Sequence, residues 1–339
     1  MTQSLTAPSP SVRVPTQAAA PAIEARDLVK TYPGDVKALV GLSFSVEPGT
    51  VFGLLGPNGA GKSTTVKILT TLSCPDSGEA RVAGFDVLRE ADRVRRSIGV
   101  VAQKSGLDVQ ATGRENLILQ GQVYGMHGQE LKNRAQHLLD RFGLTDAADR
   151  IVRTYSGGMQ RKLDVAIGLV HQPRVLFLDE PTTGLDPKAR ADLWAEITRL
   201  ANEGMTILLT THYLEEADRL AKQIAIVDHG RIVVSGSPEE LKGQLRGDAV
   251  HVELAVAANG NVQGALERLP GVGEVKIDGR TLHARVERGA TAVPAVLAAL
   301  EAENVPVASV TVARPSLDDV YLRYAGRAYN AADAKETTR

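Results

Sequence analysis

From Ile23 to about Gly236 short apolar runs rich in β-formers alternate with longer stretches whose apolar positions recur at helical spacing. The runs are Val51 to Leu55, Ile98 to Ala102, Val175 to Leu178, Thr206 to Thr210 and Ile224 to Val227. Such alternation predicts a mainly parallel sheet covered by helices, the α/β class. Between about Ser105 and Arg153 the β runs stop and polar helical sequence such as Glu130 to Phe142 takes over. This predicts a helical insert, set at about residues 105–165, projecting from the sheet domain.

A different pattern follows Gly243 and Gly247, which read as linker residues. Val250, Val252, Leu254 and Val256 alternate with His251 and Glu253 as in a half-buried strand, and Val262, Leu266 and Leu269 share a helical face. Val275 and Ile277, the Asp278-Gly279 turn, then Leu282, Ala284 and Val286 read as a hairpin. A helix through Val293, Val296, Leu297 and Leu300, with Pro294 near its first turn, and a strand holding Val310 and Val312 complete the order βαββαβ. That order predicts a small ferredoxin-like α+β module. Residues 1–21 are rich in Ser, Thr, Pro, Gln and Ala and have little apolar surface to bury, so a disordered tail is predicted there. The domain plan is thus a tail at 1–21, a sheet domain at 22–240, an accessory module at 248–325 and a flexible tail at 326–339.

Composition narrows the partners. With 39 basic and 40 acidic residues the formal net charge is −1, so nothing in the overall charge draws the chain to nucleic acid. The single cysteine, Cys74, excludes an intramolecular disulfide and a cysteine-rich zinc site, as expected of a reducing cytosol. No apolar run approaches the roughly 18 to 20 uncharged residues that span a bilayer, and the N-terminus lacks the apolar stretch of a secretory signal.

The most specific chemistry is Gly56-Pro57-Asn58-Gly59-Ala60-Gly61-Lys62-Ser63, a P-loop placed between the strand ending at Leu55 and a helix through Val66, Ile68 and Leu69. Glycines let the main chain curl around phosphates with its N–H groups inward, and the positive end of the following helix adds to the field. Lys62 is placed to put a charge on the β- and γ-phosphates of ATP, Ser63 a hydroxyl on Mg²⁺ and Thr64 a further phosphate contact. Val175 to Leu178 ends in Asp179-Glu180, which a parallel strand delivers to its carboxyl edge, where ligands of such sheets bind. Asp179 suits Mg²⁺, and Glu180 suits orienting and deprotonating the attacking water. Tyr155-Ser156-Gly157-Gly158-Met159-Gln160 precedes an apolar helix, with Ser156 a plausible N-cap and the two glycines exposing amides, which makes a second anion site.

With the P-loop and Asp179-Glu180, this last segment resembles the signature sequence of ABC ATPases, over residues from about 24 to 236. The resemblance implies an ABC-type P-loop nucleotide-binding domain with a helical insert, followed here by the α+β module. It further implies that Tyr32 stacks on adenine, Gln103 joins Mg²⁺ to a membrane partner, Asp186 in Gly184-Leu185-Asp186 is the inter-subunit loop acid, and His212 is the switch histidine near the γ-phosphate. Each has a plainer structural alternative: packing for Tyr32, a surface amide for Gln103, a helix cap for Asp186 and a satisfied, partly buried ring for His212. The signature departs from the commonest form at Tyr155, where Leu is usual, and at Met159, where Gln is usual.

Pro315-Ser316-Leu317-Asp318-Asp319-Val320-Tyr321-Leu322 is similar to a C-terminal segment of daunorubicin/doxorubicin-resistance-type ATP-binding subunits, although Ser316 and Asp319 also read as a capping box. The resemblance implies a Mg-ATPase on the cytoplasmic side of the membrane that pairs as a homodimer or heterodimer and drives a separate integral membrane permease. Efflux of hydrophobic drugs, antibiotics or lipids is the expected function. An importer subunit and a soluble ABC ATPase acting on nucleic acid or ribosomes are the alternatives. For residues 248–314 a structural or dimer-stabilising role is expected over ligand sensing, because no convergent polar cluster is evident there.

Overall fold

The computed structural model describes residues 20–325 apart from 246, 257–260 and 288. The tail expected at 1–21 lies outside the described residues except for Ala20 and Pro21, and that at 326–339 lies wholly outside them.

The core is a six-stranded sheet in which β3 (Val51–Leu55), β6 (Ile98–Val101), β7 (Val175–Asp179), β8 (Thr206–Thr211) and β9 (Gln223–Asp228) run parallel in the order β9-β3-β8-β7-β6. The antiparallel strand β10 (Arg231–Gly236) adds to the β9 edge. Residues of β3 and β8 are all buried, as strands covered on both faces require. Register decides the rest: Leu55 pairs with Thr211 and Asp179 with Thr210, so whatever follows β3, β7 and β8 emerges at one edge. The P-loop, Glu180 and His212 are those continuations.

A second sheet, unforeseen in the apolar pattern, joins β1 (Ile23–Tyr32), β2 (Val36–Val46), β4 (Ser77–Val82) and β5 (Phe85–Asp86) in the antiparallel order β2-β1-β4-β5. Its periodicity is broken by register shifts along β1 and by Asp27, whose φ of 49° is left-handed. It packs on the central sheet through Leu39, Leu42 and the stacked rings of Phe44 and Phe52, 5.2 Å apart. The helix α1 (Lys62–Leu69) follows the P-loop, and α2 (Ala91–Ser97) leads into β6.

The stretch expected to be a helical insert holds α3 (Gly113–Val123) and α4 (Gly128–Arg141), with α5 (Gly157–Gly168) behind them. Thr112 and Glu115 form a capping box on α3, satisfying two end amides that would otherwise lack partners. Leu117, Leu138, Leu139 and Phe142 carry this layer into the main core. Three further helices, α6 (Pro187–Asn202), α7 (Leu214–Leu220) and α8 (Pro238–Gly243), belong to the sheet domain.

Beyond α8 the chain runs β11 (Asp248–Leu254), α9 (Val262–Glu267), β12 (Val272–Asp278), β13 (Thr281–Val286), α10 (Gly289–Ala302) and β14 (Val307–Ala313). Its sheet order β12-β13-β11-β14, with every neighbour antiparallel, is the expected ferredoxin-like βαββαβ arrangement. Two details differ from expectation. Strand β11 stops at Leu254, leaving Val256 beyond it and half exposed, and α10 begins at Gly289, which puts Pro294 inside the helix rather than near its first turn. One sheet face buries Val250, Val252, Leu282 and Ala284 against Leu266, Val296 and Leu300. A last helix, α11 (Leu317–Ala325), contacts α7, α8 and β10, and buries Leu317, Val320 and Tyr321 in the core of the sheet domain. Among the described residues no helix is long and apolar enough to cross a membrane.

Candidate functional site

The site begins where β3 ends. Gly56 (φ 156°) turns the chain so close to β9 that a Cβ would lie 2.2 Å from the Val227 carbonyl, and at Gly61 (φ 112°) a Cβ would stand 2.6 Å from that of Ala38. Both positions require glycine, the second for its left-handed φ as well. The loop thereby delivers Lys62 to the first turn of α1, where its ammonium donates to the carbonyls of Gly56 (2.7 Å) and Pro57 (3.1 Å) and lies 3.7 Å from Glu180 Oε1. Burial pushes the Lys62 ammonium below its ordinary range, against the opposing pull of Glu180 and Asp179.

A cleft of about 490 Å³ opens over this loop, lined by Tyr32, Lys37, Pro57, Asn58, Gly59, Gly61, Lys62, Ser63, Thr64, Gln103 and Glu180 among others. Ala60, part of the same loop, is buried beneath it. Residues separated by about 150 positions thus share one cavity, including Tyr32 from the end of β1 and Gln103 just after β6.

The acids are set by backbone as much as by side chains. Asp179 closes β7 and accepts from Thr210 Oγ1 of β8. Glu180 then takes a left-handed φ of 47°, its amide donating to both the carbonyl (3.0 Å) and the hydroxyl (3.1 Å) of Thr210. Such a conformation costs a non-glycine residue about 1–3 kcal/mol, and its cause here is visible: it swings the carboxylate off the strand line into the cleft. Glu180 Oε2 accepts from Gln103 Nε2 (3.0 Å) and Thr183 Oγ1 (3.4 Å), and His212 Nδ1 stands 3.2 Å from the same oxygen, off the line of a hydrogen bond. Burial raises the Glu180 carboxyl, but the His212 ring and the Lys62 ammonium outweigh it and hold the group below the usual range. The carboxylate is therefore ionised near neutral pH and able to accept a proton. Ser63, which is exposed, and Gln103 line the cleft and offer hard oxygen donors that suit Mg²⁺, and Asp179 at the end of β7, next to Glu180, adds a carboxylate of the same chemistry.

The remaining expected residues lie elsewhere. Ser156 caps α5, accepting from the Met159 amide at 3.3 Å, with Gly157 and Gly158 in the first turn, and none of the three lines the cleft. Gly158 packs against α6, where a Cβ would meet Ala189 Cβ at 2.8 Å. Asp186 caps α6 through the Ala189 amide, the plainer of its two sequence readings. The departure at Tyr155 has a structural reason: the ring is buried and its hydroxyl donates to the Ala147 carbonyl at 2.6 Å.

Sequence reasoning missed Arg161. This nearly buried guanidinium, one turn into α5, donates to the carbonyls of Pro181 (2.7 Å), Ala102 (2.7 Å) and Asp179 (3.2 Å), clamping the ends of β6 and β7 behind Gln103 and Glu180. The only clue along the chain is a charge on the apolar face of the helix. Arg161→Met is expected to lower unfolding free energy by about 1.5–3 kcal/mol, the worth of bonds to a charged group, measured by urea titration. A change below about 0.5 kcal/mol would remove the clamp role.

Known proteins resemble the chain over most of its length. The ABC transporter family matches residues 39–183, and the family of ATP-binding protein DrrA1-3-like C-terminal domains matches residues 236–325. The chain is 47% identical to the daunorubicin resistance ATP-binding protein DrrA3 of Streptomyces coeruleorubidus, across 86% of this chain and 92% of that one. It is 44% identical to the daunorubicin/doxorubicin resistance ATP-binding protein DrrA of Streptomyces peucetius, across 93% and 95%. A solved ATP-binding cassette, described as dimeric and in a post-hydrolysis state with ADP and Pi, superposes with a TM-score of 0.58 at 26% identity, over 63% of this chain and 98% of that one. A P-loop, a paired-acid strand end and a capped diglycine helix in one chain, together with these relatives, establish that the protein is an ATPase belonging to the ABC transporter ATP-binding subunits of the daunorubicin/doxorubicin-resistance type.

Proposed function

We propose that this chain powers efflux of a hydrophobic compound by closing and opening around ATP in a pair of ATPase subunits, and that the pair works on the cytoplasmic face of the membrane against a separate permease. One observation carries the shared-site reading. Ser156, Gly157 and Gly158 present a helix N-terminus, the natural seat of an anion, yet do not line the cleft over their own P-loop. A second subunit facing this one supplies the missing half, with Asp186 at the seam. The dimeric state of the solved cassette supports the same arrangement. The relatives' association with daunorubicin and doxorubicin resistance supports export and a hydrophobic cargo.

In the proposed cycle Tyr32 stacks on the adenine while the P-loop amides, Lys62 and Thr64 hold the phosphates. Ser63, Asp179 and Gln103 hold Mg²⁺, which neutralises phosphate charge when bound. Glu180 takes a proton from the attacking water as His212 faces the same oxygen, and donors from both subunits stabilise charge on the transferring phosphoryl group. Hydrolysis removes the ligand that bridges the subunits, and their separation is passed to the permease through the helical layer behind Gln103. The proposed division of labour assigns residues 22–240 to this ATPase and 248–325 to an accessory module.

The test is association. A slowly hydrolysing Glu180→Gln protein is expected to double its mass by light scattering when ATP is added, and Ser156→Arg on that background is expected to stay monomeric. ATP-dependent pairing that survives Ser156→Arg, or its absence before that change, overturns the site shared between two copies.

A further inference from the structure

The accessory module places three metal-ligating side chains together on the sheet face away from its apolar core. His251 of β11 and His283 of β13 are register partners, and their Nδ1 atoms stand 2.8 Å apart. Asp319 of α11 reaches them from the other side, its Oδ1 lying 3.8 Å from His251 Nε2. One donor atom from each of the three falls within 4.8 Å of the others. We propose that His251, His283 and Asp319 form a binding site for a divalent transition ion of the zinc type, which staples the accessory sheet to α11.

The donor chemistry favours that class of ion. Two imidazoles and one carboxylate suit zinc and its neighbours rather than Mg²⁺, which prefers oxygen throughout. Zinc–ligand bonds of about 2.0–2.2 Å place tetrahedral ligand atoms about 3.3–3.5 Å apart, inside the range these side chains span, so rotation about side-chain bonds suffices to close the site. The hydrogen bond between the two imidazole nitrogens holds one proton, so one ring already presents an unprotonated nitrogen there and an ion binds by displacing that proton.

Asp319 is oriented for the task by its other oxygen. Oδ2 accepts from the amide (2.8 Å) and hydroxyl (2.9 Å) of Ser316, the capping box of α11, while Oδ1 is turned to the histidines. Outer partners of this kind fix a ligand and are a regular part of metal sites. Positive charges oppose the ion: Arg285 Nη2 lies 3.5 Å from Oδ2, and Lys276, the register partner of His283, and Arg323 line the same small cavity. Each lowers the affinity of the site for a cation without removing one of its three donors.

The consequence is mechanical. Helix α11 buries Leu317, Val320 and Tyr321 in the ATPase core and contacts α7, the helix after His212, whereas His251 and His283 belong to the accessory sheet. An ion bound to all three side chains ties the module to the ATPase domain independently of nucleotide.

The test uses the tag-free full chain carrying Cys74→Ser, stripped with a chelator and free of nucleotide and Mg²⁺. Co²⁺, the visible-absorbing probe for zinc sites, is expected to bind with one equivalent and give the strong d–d bands of a four-coordinate ion, and Zn²⁺ is expected to displace it. Dissociation constants should rise at least about 10- to 100-fold in His283→Gln and in His251→Gln, each checked for folding by circular dichroism. Zn²⁺ should raise the melting temperature of the parent and not of either variant, and Arg285→Leu should bind Zn²⁺ more tightly. A parent that takes up neither ion, or variants that bind as the parent does, overturns the site.

Discussion

Replacing Glu180 by Gln is expected to slow ATP turnover by about 100-fold or more while leaving nucleotide binding intact or tighter. The amide is nearly isosteric and keeps an oxygen to accept from Gln103 and Thr183, so the cleft survives the change. What disappears is the basic lone pair and the negative charge 3.7 Å from Lys62. Losing the base removes the proton acceptor for water, and losing the charge removes repulsion toward an incoming polyanion. Single-turnover hydrolysis and nucleotide titration separate the two effects. Turnover near that of the parent would show that another group takes the proton.

Lys62→Ala is expected to produce the opposite pattern, in which binding fails before chemistry can be measured. Without the ammonium the Glu180 carboxylate in the cleft loses the positive charge 3.7 Å away, and the loop loses the bonds that hold the Gly56 and Pro57 carbonyls. Truncating one partner of a buried charged contact costs about 2–5 kcal/mol, so ATP affinity should fall by about 30-fold to several thousand-fold. Calorimetry with ATP reads this directly. Lys62→Met keeps the aliphatic stem, and it should lose affinity equally if charge is responsible. Unchanged affinity in either variant contradicts the phosphate-binding role.

Much of the site was legible along the chain because its chemistry is contiguous. The P-loop is one uninterrupted segment, Asp179 and Glu180 are neighbours, and Ser156 to Gly158 cap one helix. The βαββαβ module was legible too, since each of its elements announces itself by period and turn. The antiparallel sheet of β1, β2, β4 and β5 was hidden by register shifts and by the left-handed Asp27, which interrupt the alternation that marks a strand. Arg161 was hidden for another reason. Its value lies in three carbonyls from two distant segments, Ala102 and Asp179 to Pro181, and no local pattern reports such bonds. The polar cluster of His251, His283 and Asp319 escaped notice likewise, because 68 positions separate its first and last members.

The order of residues alone determined which groups are available to hold and cleave a triphosphate, and that the chain alternates strand with helix before a separate α+β unit. Those facts depend on short-range chemistry: what a glycine permits, what a helix end attracts, which period an apolar face follows. Only the tertiary structure decided that Glu180 turns back through a left-handed φ to meet Gln103, Lys62 and His212, that the signature corner sits apart from its own cleft, and that α11 joins the accessory module to the ATPase core. Parallel register, burial and long-range hydrogen bonds set these positions, and each acts between residues that the chain keeps far apart.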